Sequence, residues 1–315
     1  MMRVDLSRMH GWRRKPSPPW GEGWVRGETS RMRDFFRLFS RNTPSPGACG
    51  SPLSPGGRGL LAVIAFALAA TAGAAQAAGG LEDVMWDVLK PRILGDAPVT
   101  DDDRIILLAP PDAENPLAAP VFVDASALGP DVREIVLIAD LNPLPFILRF
   151  KPEAARPVVG TRIKVQQSTP LRAAVKMADG GWRMKTVILE AVGGGCTQPA
   201  AAYAEADWAQ RLGEVAAAVF KADRDGEAAT RLRFTVRHPM DTGLAPGIPP
   251  YFIDEMTLRD GNGGVLARIE GGEPVAENPV FTLEVKRGLS EKVTLSGRDN
   301  GGAEFTAVLN QGGAS

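Results

Sequence analysis

The sequence predicts an all-β protein of two antiparallel β-sandwiches with one short N-terminal helix, preceded by a signal peptide. Three observations carry this. Hydrophobic periodicity is two over most of the chain beyond Arg104, as in Arg162, Lys164 and Gln166 alternating with Ile163 and Val165. Turn-forming clusters recur at intervals of about ten residues, as sandwich strands require. The 35 glycines and 26 prolines, with 44% hydrophobic and 23% charged residues, suit a folded, turn-rich chain. The same composition excludes a wholly disordered or polytopic membrane protein.

The 315 residues divide into unlike parts. Residues 1–77 hold 11 basic against 4 acidic side chains, which leaves the rest of the chain at a net −8. The boundary has the form of a secretory signal over 57–77: Arg58, the apolar run Leu60–Leu68, and Ala75-Gln76-Ala77 as a small-x-small cleavage site. The apolar run fades after Leu68, short of the roughly 20 residues a membrane span needs. The expectation is export and cleavage near Ala77, with no membrane anchor left. Residues 1–56 precede a complete signal and read as a spurious or disordered extension, rich in Ser, Pro and Gly.

In the mature chain, Leu81, Val84, Met85, Val88 and Leu89 stand at helical spacing and predict an amphipathic helix ended by Pro91. Strands follow, bounded by turns such as Asn142-Pro143-Leu144-Pro145 and Asp179-Gly180-Gly181, and the first sandwich (81–196) closes on Gly193-Gly194-Gly195-Cys196. The Ala-rich segment 197–211 is expected to be a linker with a short helix. The second sandwich (212–312) includes the near-ideal alternations Arg231–Arg237 and Phe281–Lys286.

Chemistry-bearing residues are few. With Cys49 lost upstream of the cleavage site, Cys196 is the only mature thiol, so an intramolecular disulfide is impossible. Three glycines beside it predict a flexible, accessible arm, with Gly193, Gly194 and Gly195 as its joints. The residue pattern leaves three roles open: a reactive or covalently loaded thiol, an accidental surface cysteine, or an intermolecular disulfide. The only mature histidine, His238, precedes Pro239 and is expected to fix a loop by hydrogen bonding. Asp101-Asp102-Asp103 reads as a solvated acidic run. No haem motif, Cys/His metal cluster or phosphate-binding glycine loop is present, so no cofactor or metal is expected. The near-neutral net charge of −1 gives no reason to expect nucleic acid as a partner.

Specific strings then resemble a known family. His238-Pro239-Met240-Asp241-Thr242-Gly243, Ile248–Ile253, Glu277-Asn278-Pro279 and Asp299-Asn300-Gly301 resemble SoxZ, in order and spacing. Ala113-Glu114-Asn115, Pro120–Val123, Asp140–Pro145 and the strand leading to Gly193-Gly194-Gly195-Cys196 resemble SoxY. The whole is similar to fused SoxYZ-like carriers associated with quinoprotein dehydrogenases. The resemblance implies two immunoglobulin-like sandwiches that pair within the chain, and a non-enzymatic periplasmic carrier with Cys196 as covalent attachment site for a sulfur species. It also implies periplasmic oxidoreductases as partners, quinoprotein dehydrogenases or c-type cytochromes among them. Here Thr197-Gln198-Pro199 replaces the family's glycines after the cysteine, and the arm is tethered at both ends. The competing readings are an accessory module docking on a dehydrogenase with Cys196 incidental, and a sulfur-transfer enzyme acting alone.

Overall fold

A computed structural model describes residues 84–224, 227–285, 293–310 and 313–314. The expected extension and signal peptide lie outside these residues. The first described element is the helix α1 (Trp86–Ile93). It runs through Pro91 rather than stopping there, which corrects the sequence expectation. In an eight-residue helix the missing proline N–H removes a single bond, and the Leu94 N–H resumes the ladder to the Lys90 carbonyl at 2.8 Å. Asp87 in the first turn and Lys90 and Arg92 in the last complement the helix dipole.

The buried face is also rotated from the expected stripe. Trp86, Leu89 and Ile93 pack with Leu94 and the fully buried Trp182, while Val84 and Val88 stay in solvent. Trp182 decides the orientation, because its indole N–H donates to the Leu94 carbonyl at 3.2 Å. The Arg172 guanidinium stands 4.3 Å over the Trp86 ring.

The remaining described elements are β-strands, as expected, apart from the short 3-10 turns Ser126–Leu128 and Ala201–Ala204. The strands of the first half are β1 (Val99–Asp101), β2 (Ile106–Leu108), β3 (Asp112–Ala113), β4 (Ala119–Asp124), β5 (Val132–Ala139), β6 (Phe146–Lys151), β7 (Ala155–Ile163), β8 (Thr169–Met177) and β9 (Trp182–Ala191). Those of the second are β10 (Val215–Arg224), β11 (Glu227–Val236), β12 (Asp241–Thr242), β13 (Pro250–Tyr251), β14 (Ile253–Arg259), β15 (Val265–Gly271), β16 (Val280–Val285), β17 (Val293–Asp299), β18 (Glu304–Asn310) and β19 (Gly313–Ala314). Pairing is antiparallel except where β1 and β3 run parallel to β9.

The two halves share their sheets. An eleven-stranded sheet runs β1-β9-β8-β5-β6-β15-β14-β17-β18-β19 with β3 beside β9, and a six-stranded sheet runs β10-β11-β16-β7-β4-β2. Each crosses from one half to the other at one seam: Phe150 opposite Ile269 in the first, Gly160 opposite Thr282 in the second. Without those seams β6 and β7 would present unpaired N–H and C=O groups at a sheet edge, and β15 and β16 satisfy them. One hydrophobic cluster, with Phe150, Val159 and Leu171 from the first half and Phe234, Phe281 and Leu295 from the second, fills the space between the layers.

The segment 197–211 contains a single 3-10 turn, Ala201–Ala204, instead of the expected linker helix. The N–H groups of Ala201 and Ala202 donate to the Glu277 carboxylate at 2.7 and 2.8 Å, and Tyr203 meets Trp208 edge-on at 4.9 Å. These contacts pin the segment to the second half.

Candidate functional site

Cys196 sits where the first half hands over to the second, and its thiol is buried. The residue has 0% exposure, and its Sγ lies 3.8 Å from the Lys164 carbonyl. The expected accessible arm is therefore corrected: the segment is closed over its own cysteine. The Gly194 N–H donates to the Gln166 carbonyl (3.2 Å), the Gly195 N–H to the Val165 carbonyl (3.0 Å), and the Cys196 N–H to Gln166 Oε1 (3.1 Å). From the other half, the Thr242 hydroxyl donates to the Cys196 carbonyl.

The glycines serve this closure rather than flexibility. Gly193 and Gly194 hold φ of +98° and +88°, where a side chain is strained. A Cβ on Gly195 would fall 2.0 Å from the Pro116 carbonyl oxygen and 2.6 Å from that of Val165. The close approach of three backbone segments, all outside the strands, admits no side chain at that point.

Lys164 was visible to the sequence only as one member of an alternating strand. Ile163 and Val165 face the core as expected, yet Lys164 is just 2% exposed, because the 238–242 loop of the second half covers it. Its ammonium donates to the Met240 carbonyl. Burial holds the Lys164 pKa below its usual value, against the opposing pull of Asp241, Cys196 and Glu277. Burial likewise pushes the Cys196 thiol up to about 11, with the Lys164 charge acting the other way. In this closed form the thiol is protonated at neutral pH and cannot act as a nucleophile.

The polar surroundings are built from motif residues. Asn142 Nδ2 donates to the Lys164 carbonyl and Asn142 Oδ1 accepts from the Gln166 N–H, both at 2.9 Å, so the turn after β5 clamps the stretch under Cys196. Asp241 accepts from the Tyr203 hydroxyl and from the Ala200 N–H, the latter at 3.3 Å, which ties down the chain just beyond the cysteine. His238 fixes its loop as expected: Nδ1 accepts from the Met240 N–H at 3.1 Å, and its backbone pairs with Asn278. Burial lowers its pKa to about 4, so the ring is neutral. The acidic run keeps to the surface, with Asp102 paired to Arg104 and Asp103 to Lys185. Among the described residues no group of three or more His, Cys, Asp or Glu could hold a metal.

Comparison with known families places these residues in context. The family model of the sulfur oxidation protein SoxY matches residues 90–196, and that of the sulphur oxidation protein SoxZ matches 219–310. The chain belongs to the fused SoxYZ-like proteins. Its SoxY match ends on Cys196 itself. A solved structure described as the sulfur carrier protein SoxY from Chlorobium limicola f thiosulfatophilum aligns at 23% identity, over 34% of this chain and 96% of that one, with a TM-score of 0.31. A structure of manganese lipoxygenase of Gaeumannomyces graminis with part of zonadhesin of Komagataella pastoris aligns at 8% identity, over 69% and 91% of the two chains, with a TM-score of 0.12. No curated protein sequence matches.

In this SoxYZ-like chain the SoxZ part does more than pair with the SoxY part. It supplies Met240, Asp241 and Thr242, which close the cysteine from the far side. Sequence reasoning named Cys196 and the three glycines. It missed Lys164, Gln166 and the locking role of Thr242, and only the motif strings around Asn142 and Asp241 pointed towards that neighbourhood.

Proposed function

We propose that this protein is a non-enzymatic periplasmic carrier of sulfur oxidation that takes a sulfur species on Cys196 and delivers it between partner oxidoreductases. The carrying observation is that the SoxY match ends on the one cysteine beyond residue 49, at the junction with the SoxZ part. Loading proceeds from an opened form in which the thiol is ionised. The thiolate attacks a sulfane sulfur, a new S–S bond forms, and the bond from that sulfur to its former partner breaks with the electron pair leaving on the partner. A cysteine persulfide remains and no external oxidant is needed. Delivery is the same exchange with an acceptor on the next protein. The export signal and the family resemblance support the periplasm, and quinoprotein dehydrogenases or c-type cytochromes as the partners.

A second reading is favoured by the full burial of Cys196 and its raised pKa: an accessory module that docks on a dehydrogenase, with the cysteine as packing. Intact mass of protein recovered from its native cells during sulfur oxidation separates the two. A reducible sulfur adduct, absent from Cys196→Ser, is the result expected of a carrier. A bare thiol under every growth condition would overturn that role in favour of docking. Turnover of a sulfur compound by the isolated protein would contradict both.

A further inference from the structure

The burial of Lys164 has a cost that its packing does not explain. Its ammonium donates to the Met240 carbonyl and forms no ion pair with a carboxylate among the described residues. An ammonium taken out of water against a neutral acceptor loses stability that an apolar side chain of similar length would keep. The backbone around it is held from both halves of the chain. The Lys164 N–H donates to the Pro274 carbonyl at 2.6 Å, and the Lys164 carbonyl accepts from Asn142 Nδ2 at 2.9 Å. None of these three bonds involves the 193–196 segment, so Lys164 stays in place when that segment lifts.

The titratable groups around the ammonium are Asp241, Glu277, Cys196 and His238. Both carboxylates are engaged by the chain beyond the cysteine. Asp241 accepts from the Tyr203 hydroxyl and the Ala200 N–H, and Glu277 accepts from the Ala201 and Ala202 N–H groups and from Asn278 Nδ2. His238 is neutral. The charge that acts on the Cys196 thiol is that of Lys164. Geometry agrees: Sγ lies 3.8 Å from the Lys164 carbonyl, and the loop that receives the ammonium at Met240 holds the Cys196 carbonyl two residues later, through Thr242.

We propose that Lys164 is a specificity-determining residue that gives Cys196 a preference for anionic sulfur compounds. The inference rests on Cys196 being the atom that is loaded. A negatively charged donor that approaches the opened thiol enters the field of a positive charge fixed in the floor that the segment has left. Attack by the thiolate sends an electron pair onto the departing group, so negative charge grows on the donor within that field, and the ammonium stabilises it. A charge set inside protein is screened by salt much less than one on the surface. A neutral donor of the same size gains nothing. Beyond residue 77 the chain is net −8, which by itself repels anions, and Lys164 reverses that sign locally at the cysteine.

Iodoacetate and iodoacetamide test this on the folded full chain. Both alkylate a thiolate at the same carbon with loss of iodide, and they differ by one negative charge. Opening of the segment and ionisation of the thiol enter both rates equally, so the ratio of the two rates cancels them. Lys164→Met should lower the iodoacetate-to-iodoacetamide ratio about threefold or more, the scale of one charge acting across several ångströms of largely aqueous surroundings. Lys164→Arg should keep the ratio. A role in packing alone would change both rates together and leave the ratio untouched. In the wild type the ratio should fall as pH rises, at a pH below the ~10.4 at which an exposed lysine loses its proton, because burial holds the Lys164 pKa down. This curve decides the matter if Lys164→Met does not fold. An unchanged ratio in Lys164→Met, or a wild-type ratio that stays flat with pH, would overturn the proposal. A bare Cys196 in native cells would instead overturn the carrier role while the Lys164 ratio stands, so the two failures are distinguishable.

Discussion

Gly195→Ala tests the closed segment most directly. Its new Cβ would stand 2.0 Å from the Pro116 oxygen and 2.6 Å from the Val165 oxygen, both backbone atoms that cannot rotate away. Both are also engaged, Pro116 by the Val165 N–H at 2.8 Å and Val165 by the Gly195 N–H at 3.0 Å. Relief therefore has to lift the 193–196 segment. Overpacking of this kind costs about 1–3 kcal/mol and a lost backbone hydrogen bond about 1 kcal/mol, so the closed form should weaken by about 3 kcal/mol. A buried thiol reacts through its open fraction, and each 1.4 kcal/mol is tenfold, so labelling by a thiol-disulfide reagent should accelerate about 100-fold. Gly194→Ala is the internal control: its Cβ meets nothing within 4 Å, but φ of +88° imposes a backbone cost of about 1–2 kcal/mol and a rise nearer tenfold. The assay is the labelling rate of folded protein at fixed pH, with thermal unfolding in parallel to show that the change is local. Wild-type protein labelled as fast as its unfolded chain, or Gly195→Ala labelled as slowly as wild type, would show that the 193–196 segment does not close over the thiol.

Thr242→Val removes the hydroxyl that holds the Cys196 carbonyl and also accepts the Leu244 N–H; a net loss of about 1–2 kcal/mol should speed labelling roughly tenfold, and an unchanged rate would remove Thr242 from the lock. His238 is neutral when folded, with its pKa lowered to about 4 from 6.5, so between those values the unfolded chain binds more protons. Stability is therefore full above pH 6.5 and falls as pH drops towards 4, by about 3 kcal/mol at most, and denaturant titrations should show His238→Gln losing that part of the slope. Proteolytic cleavage between Pro199 and Ala206 should leave one particle in gel filtration, because the β6–β15 and β7–β16 seams and the common core survive the cut. Two separate folded pieces would show that the seams do not hold the halves.

The β class, the strand-bounding turns, a helix before the first strand, and Cys196 as the thiol to watch are all legible in the order of the residues alone. These are local properties: period two puts Ile163 and Val165 on one face whatever else the chain does, and counting cysteines needs no coordinates. The order of the residues could not show what covers a face. Lys164 reads as a solvated strand residue until Met240, 76 positions later, arrives over its ammonium. The glycine run reads as slack until Pro116 and Val165 are seen filling the place of a side chain. Two separate sandwiches and two sandwiches fused through common sheets carry the same alternation, since pairing consumes backbone groups that every residue but proline possesses. The exposure of Cys196 and the path of the sheets across the chain were decided by contacts between residues dozens of positions apart, where the free energy of closing the structure, and not the local pattern, selects the partner.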